Sequence, residues 1–428
     1  MLKLILTSNL LPSLLLIFLS LKARQTLGDY QRCISEGDYN TLQALYLSTV
    51  GNGWIWKSGN VSRHWRFGPS FQSSYSDTEN NPDPCIYEWE GITCNSQCIL
   101  TEISLANYSL NGKLEDDTFL YLASTGTDMQ LSKIDLSNNA ISGRIPGSLY
   151  DITSLVLIDM SRNIMNGSIP EFIGSVLTNL NSLSLQHNRF EGSLPSSLGF
   201  LGNLTQLNLK YNSFASTIPS NYGSLTALKI FEVAKNDLVG SLSNSLSKLS
   251  ALEHFSVYGN RLTGTVPISF GTQWRSLQFL WLDQNLFEGS IPEEMMNMPG
   301  LIDFWINNNK FTGTLSPSLS YLSSLNKIIV QNNKFHGDVT GIFSKAQRKL
   351  QNIDLSNNFF TGSIPSSAFN LPTLTTFSAS KNCFSGSIPS NICNCTTLKT
   401  IALNGVSTQD CGGRPIEQIF FPSQLSGR

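Results

Sequence analysis

The 428-residue chain has little charge and only four histidines. Charged side chains make up 14% of the residues, and 28 basic residues nearly balance 30 acidic ones, so the formal net charge is -2. Long runs of lysine and arginine are absent, which excludes the electrostatic footprint of a protein that binds nucleic acid or an anionic membrane. Asn, Ser, Thr and Gly fill the polar positions, which suits a surface solvated by neutral side chains or by glycans.

Catalytic motifs are also lacking. The histidines are scattered, and the sequence contains no H-E-x-x-H, no G-x-S-x-G, no phosphate-binding loop and no kinase signature. Asp135 and Asp159 fall at equivalent places, an arrangement that glycosidases use, but solvated carboxylates without a pocket to shift their pKa are the better interpretation. We therefore expect no enzyme, no cofactor and no metal.

Cysteine is missing from the 284 residues between Cys98 and Cys383. Four cysteines precede this stretch and four follow it, which is typical of disulfide-stapled ends in an oxidising compartment. Zinc is the weaker alternative, because the chain has no CxxC pair and carries signs of export. The expected disulfide cysteines are Cys33, Cys85, Cys94, Cys98, Cys383, Cys393, Cys395 and Cys411.

The first 27 residues resemble a secretory signal peptide, with basic Lys3, an apolar stretch through Leu21 and a polar turn after it. Cleavage could follow Ala23 or Gly28, and an uncleaved signal anchor is the alternative. Export is consistent with five Asn-x-Ser/Thr sequons. These glycosylation candidates are Asn60, Asn107, Asn166, Asn203 and Asn394.

A repeat of 24 or 25 residues organises most of the chain. Its frame is L-x-x-L-x-L-x-x-N-x-L-x-G-x-I-P, and eleven consecutive units place an asparagine at the same point. The alternating leucines predict a short strand with its apolar side chains inward, and stacked strands predict a parallel sheet. The recurring asparagine is expected to satisfy backbone groups of adjacent turns. These asparagines are at 139, 163, 188, 212, 236, 260, 285, 309, 333, 358 and 382.

The G-x-I-P that follows the asparagine, as in "SGRIP", "NGSIP" and "EGSIP", resembles the plant-type extracellular leucine-rich repeat. The resemblance implies an α/β repeat solenoid: a leucine-rich-repeat superhelix with a concave parallel β-sheet, about 12 to 13 repeats and disulfide-capped ends. Repeats are expected over 99–404. A tail, 405–428, follows, and it contains no apolar stretch of membrane length. Its two interpretations are the end of a secreted solenoid and a truncation within a longer receptor-like chain.

The segment "DPCIYEWEGITC" resembles the N-terminal cap that accompanies such repeats, expected here over 28–98. The matching residues are Cys85, Trp89, Gly91 and Cys94. The resemblance implies disulfides Cys85–Cys94 and Cys33–Cys98, although four cysteines allow three pairings. The span 62–81 is interpreted as an insertion in the cap.

Position 5 of the frame lies between two inward leucines and must therefore face the concave side. It is small, polar or charged in ten of thirteen units, but in three consecutive units it is Trp281, Trp305 and Ile329. Other polar residues of this face, His187, Lys210, Lys235 and His254, are expected to be solvated. The candidate ligand-binding residues are Tyr211, Tyr258, Phe279, Trp281, Asp283, Trp305, Asn307, Ile329 and Gln331.

An aromatic strip bordered by hydrogen-bonding groups suggests a protein-binding surface. Covering roughly 100 Å² of each tryptophan would contribute of order 5 kcal/mol gross at about 25 cal/mol/Å². The alternative is that the two rings only stack on each other. We expect an extracellular, secreted or cell-surface recognition module for a protein or peptide, with a co-receptor as a further partner. The second hypothesis is a secreted inhibitor of cell-wall-degrading glycosidases, or an adhesive scaffold that binds cell-wall polysaccharide.

Overall fold

The computed structural model describes residues 30–31, 33–67, 74–75, 83–124 and 130–405. The expected signal peptide, 1–27, lies outside this part of the chain, as do Cys411 and the tail from residue 406. The described residues form a leucine-rich-repeat solenoid, as the resemblance implied. Its concave side is a sheet of fourteen described strands, of which the last thirteen run parallel, one per repeat.

The concave sheet begins at the cap, where β1 pairs antiparallel with β2. From β2 onward each strand pairs in parallel with the strand of the next repeat. The strands are β1 (Ile92–Cys94), β2 (Leu100–Ser104), β3 (Lys133–Asp135), β4 (Leu157–Asp159), β5 (Ser182–Ser184), β6 (Gln206–Asn208), β7 (Ile230–Glu232), β8 (His254–Ser256), β9 (Phe279–Trp281), β10 (Asp303–Trp305), β11 (Lys327–Ile329), β12 (Asn352–Asp354), β13 (Thr376–Ser378) and β14 (Thr400–Ala402).

Further short strands follow Tyr108 and ten of the eleven recurring asparagines, and five of them form a second parallel sheet within the described residues. They are Asn111–Lys113, Ala140–Gly143, Ile164–Gly167, Arg189–Gly192, Ser213–Phe214, Val239–Ser241, Arg261–Thr263, Glu288–Gly289, Lys310–Phe311, His336–Asp338 and Phe359–Thr361. Two further strands, Tyr30–Gln31 and Ser74–Tyr75, pair antiparallel with each other near the cap.

Short helices return the chain along the opposite side of most repeats, but residues 339–351 form no helix. The α-helices are α1 (Glu36–Ser48), α2 (Leu120–Ser124), α3 (Ile173–Val176) and α4 (Ile268–Gln273). The 3₁₀ helices are Gly51–Gly53, Val61–Arg63, Gly147–Asp151, Ser196–Phe200, Ser220–Ser224, Asn244–Lys248, Glu293–Asn297, Pro317–Tyr321, Ser366–Asn370 and Ser390–Asn394. Proline precedes many of them because its fixed φ suits the residue that starts a helical turn.

The core lies between the concave sheet and these helices, and it continues through the stack. Leucines and other apolar residues at frame positions 1, 4 and 6 are buried, as the period-two strand predicts. A row of phenylalanines lies next to the outer strands, each stacked on the next with centroids 6.0 to 6.4 Å apart. The row consists of Phe287, Phe311, Phe335, Phe360 and Phe384. A repeat therefore buries its apolar side chains largely against its neighbours.

The recurring asparagine joins adjacent repeats, as expected. In Asn260, Nδ2 donates to the carbonyl oxygens of Val257 in its own repeat, at 2.9 Å, and of Val233 in the preceding repeat, at 3.0 Å. Its Oδ1 accepts from the backbone N–H of Leu238, at 3.0 Å. One amide thus satisfies backbone groups that the turn removes from water, and all eleven asparagines repeat the link to the preceding unit.

The cap covers the first repeat with an aromatic cluster and a buried carboxylate. Disulfides join Cys33 to Cys98 and Cys85 to Cys94, with Cα atoms 5.4 and 5.7 Å apart. The Glu90 carboxylate accepts from the hydroxyl of Tyr108, at 2.9 Å, and so ties the cap to the first repeat. Tyr108 occupies the place that asparagine holds in later repeats.

Part of the span interpreted as an insertion belongs to the cap core. Trp65 is buried and stacks on Trp89, with centroids 5.7 Å apart, and its indole N–H donates to the Glu90 carbonyl. Phe67 meets the same Trp89 ring edge-on at 5.0 Å. The repeat frame could not reveal this packing, because it does not extend into the cap.

The expectation that all eight cysteines pair is wrong at two positions. Cys383 is disulfide-bonded, but Cys393 and Cys395 are free thiols. Cys393 lies in the last turn of the 3₁₀ helix Ser390–Asn394 and is exposed, whereas Cys395 packs partly against the core.

All five sequon asparagines are exposed, so their side chains are accessible to a glycan. Glycosylation itself stays a prediction. None of the helices in the described part of the chain is both long and apolar enough to cross a membrane.

The asparagine link can be tested with Asn260→Ala. Removing the amide leaves buried backbone groups unpaired, and we expect unfolding free energy to fall by about 1 to 3 kcal/mol. Exposed Asn244 provides a matched control, and Asn244→Ala should change it by less than about 0.5 kcal/mol. Chemical denaturation of both variants measures the difference. Equal stabilities would mean that the link contributes nothing.

Candidate functional site

The candidate site lies on the concave sheet, where β9, β10 and β11 carry large apolar residues at equivalent places. Trp281 pairs in register with Trp305, and Trp305 pairs with Ile329. The residues just before them, Leu280 and Phe304, are buried in the core. Because successive strand residues alternate between faces, Trp281, Trp305 and Ile329 lie on the concave side, as predicted.

The two tryptophans stack on each other. Their ring centroids are 4.9 Å apart and the planes differ by 17°. Lys327 covers the other side of Trp305, with Nζ 5.4 Å from the ring centroid. The two rings therefore stack on each other and also face solvent on the concave side. Both are half-buried without a ligand. The area that a ligand could cover on each ring is smaller than the roughly 100 Å² assumed from the sequence.

The aromatic contacts continue toward the N-terminal repeats. Phe279 and Tyr258 each meet Trp281 edge-on, at 6.2 and 6.3 Å. The hydroxyls of Tyr258 and Tyr211 are 2.8 Å apart, although two repeats separate them. Tyr211 follows its strand by one residue more than Tyr258 does, with φ +56°, and it stacks on His187 at 4.3 Å. The structure thus brings the predicted aromatic residues into one connected strip.

The polar residues that border the strip are more buried than the sequence suggested. Asp283 is 4% exposed and Asn307 is 7% exposed, while Gln331 is half-buried. Each follows its strand by two residues, where the chain bends toward the recurring asparagine. The neighbouring repeats cover these side chains on both sides, an effect that one repeat considered alone does not show.

Several buried polar atoms of this face have no hydrogen-bond partner among the described residues. The indole N–H groups of Trp281 and Trp305 are unpaired donors, and Asp283 Oδ1 and Gln331 Oε1 are unpaired acceptors. Unpaired buried polar atoms cost about 1 to 3 kcal/mol each, and native proteins retain few of them. Four such atoms lie within three adjacent repeats, next to the aromatic strip.

A buried carboxylate next to the strip was not predicted. Glu232, at position 5 of its repeat and 5% exposed, accepts from Asn208 Nδ2 at 2.6 Å and pairs with Lys210 Nζ at 2.6 Å. His254 Nε2 lies 3.4 Å from the other carboxylate oxygen. The histidine ring meets Trp281 edge-on at 4.6 Å. With the repeats numbered from the one that contains β2, Glu232 in repeat 6 connects the polar residues of repeats 5 and 7 to the strip.

The expectation that His187, Lys210, Lys235 and His254 are simply solvated is therefore wrong. Lys210 pairs with Glu232, His187 stacks on Tyr211, and Lys235 lies over the Tyr258 ring, at 5.5 Å from its centroid. Burial lowers the pKa of the His254 imidazole, and the nearby Glu232 carboxylate opposes that shift. One feature of the sequence could have indicated these contacts: Glu232 is a charged residue at position 5 and lies within three repeats of the tryptophans.

Asp283 differs from the other carboxylates of this face. Its Oδ2 accepts from Gln284 Nε2 at 2.9 Å, and Oδ1 is unpaired within the described structure. Burial raises the pKa of the Asp283 carboxyl, while Gln284, its own backbone N–H and the charge of Lys235 oppose the rise. The ionised carboxylate is consequently disfavoured in the folded protein.

The two carboxylates that share the glycosidase-like arrangement have structural partners instead. Asp135 accepts from the backbone N–H of Ser137 at 3.0 Å, and Asp159 accepts from that of Ser161 at 2.9 Å. Each carboxylate stabilises the turn that follows its own strand. In the described ranges, no three His, Cys, Asp or Glu side chains converge as metal ligands.

An exposed ladder of side-chain amides runs beyond the strip. Asn332 Nδ2 donates to Asn308 Oδ1 at 2.7 Å, and Asn357 Nδ2 donates to Asn332 Oδ1 at 2.6 Å. All three asparagines have positive φ, from 54° to 58°, which asparagine tolerates better than most residues. The ladder follows the repeat spacing and gives this side of the solenoid a regular polar border.

A family model described as Leucine Rich Repeat matches six segments of the chain, at residues 130–152, 179–201, 203–225, 276–298, 349–371 and 373–395. Among curated proteins, Receptor-like protein kinase 7 of Arabidopsis thaliana is 37% identical over 89 residues. That alignment spans 21% of this chain and 8% of the kinase.

Solved structures of plant receptor ectodomains have the same fold. The leucine-rich-repeat ectodomain of GASSHO1/SCHENGEN3 from Arabidopsis thaliana, in complex with CASPARIAN STRIP INTEGRITY FACTOR 2, aligns with TM-score 0.69 and 25% identity over 86% of this chain and 44% of that chain. The Arabidopsis receptor kinase HAESA, in complex with the peptide hormone IDA and the co-receptor SERK1, aligns with TM-score 0.68 and 29% identity. The alignment covers 62% of the HAESA chain and 87% of this chain.

The repeat frame, the solenoid and these matches identify a leucine-rich-repeat protein. Its repeats are of the plant type, and its relatives are plant receptor-like proteins and receptor kinases. The chain spans 8% of Receptor-like protein kinase 7 and less than two thirds of these solved ectodomains.

The unfavourable ionisation of Asp283 predicts a pH-dependent effect of Asp283→Asn. The pKa of Asp283 is raised in the folded protein, so the ionised carboxylate lowers stability at pH values above the ordinary aspartate pKa of about 3.9. This destabilisation disappears as pH falls. We expect the variant to melt about 1 to 2 °C higher than wild type at pH 7 and at the same temperature near pH 3.

Thermal unfolding at both pH values measures this difference. Asp237, which is more exposed and pairs with Arg261, is the control, and Asp237→Asn should not raise the melting temperature. A lower melting temperature for Asp283→Asn at pH 7 would contradict the interpretation.

Proposed function

We propose that the protein is a non-catalytic, extracellular recognition module that binds an extended peptide, or an extended segment of a protein, on the concave face of repeats 7 to 10. The observation that carries this proposal is the set of unpaired polar atoms around the Trp281–Trp305 stack. A fold alone does not define a function, so we infer the function from the residues of this site.

The unpaired atoms alternate in kind, as those of a peptide backbone do. The indole N–H groups of Trp281 and Trp305 require acceptors, which backbone carbonyls supply. Asp283 Oδ1 and Gln331 Oε1 require donors, which backbone N–H groups or polar side chains supply. An extended chain that crosses the strands, which are ~4.8 Å apart, could reach several of these groups in succession.

The aromatic strip supplies the apolar part of the contact. Trp281, Trp305, Phe279 and Ile329 are half-buried, so a ligand can remove further apolar area from water. Aromatic residues are enriched at the centres of protein interfaces because they combine area with restricted side-chain freedom. Glu232 and Asp303 are paired with lysines of this face, which leaves the strip as the main surface for contact with a ligand.

Relatives support the same class of function. The two solved neighbours are receptor ectodomains, one bound to a peptide hormone and a co-receptor and the other to an integrity factor. Cap disulfides and exposed sequons fit an extracellular location at the cell surface or in the medium. By this analogy, a co-receptor is a further candidate partner.

The proposal predicts that Trp281→Ala and Trp305→Ala abolish capture of peptides selected on the wild-type protein from a random display library. Affinity should fall at least tenfold for each, because each change removes part of the central contact. Melting temperatures should stay within a few degrees, since both rings lie outside the core.

Tyr321→Ala is the matched control, because this aromatic residue is 76% exposed and lies in the helix Pro317–Tyr321, away from the strip. It should leave peptide affinity unchanged. Selected peptides that bind the tryptophan variants as well as the wild type would contradict the proposed site.

A second candidate is favoured by the exposed asparagine ladder. Side-chain amides at repeat spacing, next to aromatic rings, also suit the hydroxyl groups of an extended polysaccharide, as in an adhesive scaffold. Retention on immobilised cell-wall polysaccharide distinguishes the two candidates. Under the second, binding would depend on Asn332 and the library would return no tryptophan-dependent peptide.

A further inference from the structure

The acidic residues of the concave face between repeats 6 and 9 follow a simple pairing pattern. Glu232 has Lys210 Nζ at 2.6 Å, and Asp303 has Lys327 Nζ at 3.7 Å. Asp283 lies between them along the solenoid, and no lysine, arginine or histidine forms an ion pair with it among the described residues. Two of three buried carboxylates thus carry their own cation, and the third does not.

The nearest positive charge to Asp283 is engaged elsewhere. Lys235 Nζ donates to Gln284 Oε1 at 2.7 Å and lies 5.5 Å from the centroid of the Tyr258 ring. Gln284 in turn donates to Asp283 Oδ2. A neutral amide therefore separates the ammonium from the carboxylate, and the contact that Asp283 receives is weaker than the direct pairs of Glu232 and Asp303.

One exposed side chain covers part of the carboxylate. Asp283 itself is 4% exposed, whereas Gln284, which covers Oδ2, is exposed to solvent. Asp283 lies two residues beyond Trp281, at the end of the strand whose tryptophan centres the aromatic strip. A group that approaches Asp283 from the concave face passes the strip and displaces Gln284.

We propose that the ligand's basic side chain, arginine or lysine, pairs with Asp283 and completes the charge pattern of this face. The inference rests on the proposed peptide-binding function and specifies the ligand further: a peptide with a basic residue whose aliphatic stem lies against Trp281. A guanidinium or ammonium group supplies the donor that Oδ1 lacks and the charge that Asp283 lacks. Burying an ionised carboxylate without a cation is costly, so binding removes that cost.

An acidic group of a ligand is disfavoured next to Asp283. A carboxylate or phosphate would approach a buried carboxylate whose charge no cation directly offsets, and like charges repel strongly where water is excluded. A neutral donor could satisfy Oδ1 but would leave the charge uncompensated. Selectivity for a basic residue is therefore expected even where overall peptide affinity depends mainly on the tryptophans.

The test is a double-mutant cycle with peptides selected from the random display library on the full protein. Each selected peptide is resynthesised with arginine or lysine replaced in turn by norleucine, which keeps a similar stem and removes the charge. Affinities are measured for wild type, Asp283→Asn and, as a control for a buried carboxylate that has its own cation, Asp303→Asn. Thermal unfolding confirms that each variant is folded.

The proposal expects basic residues to be enriched in peptides selected on wild type, and one of them to lose about tenfold affinity on replacement by norleucine. That loss should disappear in Asp283→Asn and persist in Asp303→Asn. Equal losses in wild type and Asp283→Asn, or selected peptides without an essential basic residue, would overturn it. If those peptides still require Trp281 and Trp305, the proposed function stands while this inference fails. If the library yields no peptide whose binding requires Trp281 and Trp305, both the proposed function and this inference are wrong.

Discussion

One side-chain amide per repeat is the contact on which the rest of the structure depends. A tight turn follows every strand, and its backbone groups would be buried without partners if asparagine did not accept and donate there, as Asn260 does toward Val257, Val233 and Leu238. Because two of these groups belong to the preceding repeat, the same amide holds neighbouring units in register. The leucines are then buried between repeats, so neither the core nor the sheet exists in a single unit.

This regular scaffold gives the concave face its properties. Residues at equivalent places in successive repeats lie side by side, so three consecutive large apolar residues in the sequence become one strip in space. Most polar residues of the face satisfy one another, as Glu232 does with Asn208 and Lys210. Near the tryptophans several polar atoms lack a hydrogen-bond partner among the described residues. These atoms lie beside the apolar surface of the strip. We regard that coincidence as the strongest indication of a binding site.

The relatives of the chain are plant receptor-like proteins and receptor kinases, and they assign it no ligand. Aligned ectodomains share the solenoid at 25% and 29% identity, and such similarity constrains the repeat frame far more than the side chains of the concave face. Two residues illustrate the difference. Asn260 belongs to the frame and recurs in eleven consecutive units, whereas Asp283 is specific to one repeat, and recognition depends on residues of the second kind.

The sequence by itself determined the solenoid, the number of repeats and the face on which Trp281 and Trp305 lie, because a period of two within strands and of 24 or 25 between them leaves one way to bury the leucines. It could not determine which side chains meet across repeats. The pairing of Lys210 with Glu232, the burial of Asp283, the free thiols of Cys393 and Cys395 and the packing of Trp65 in the cap appeared only in the tertiary structure. Such contacts depend on the reach and direction of individual side chains from neighbouring turns, and a one-dimensional pattern does not encode them.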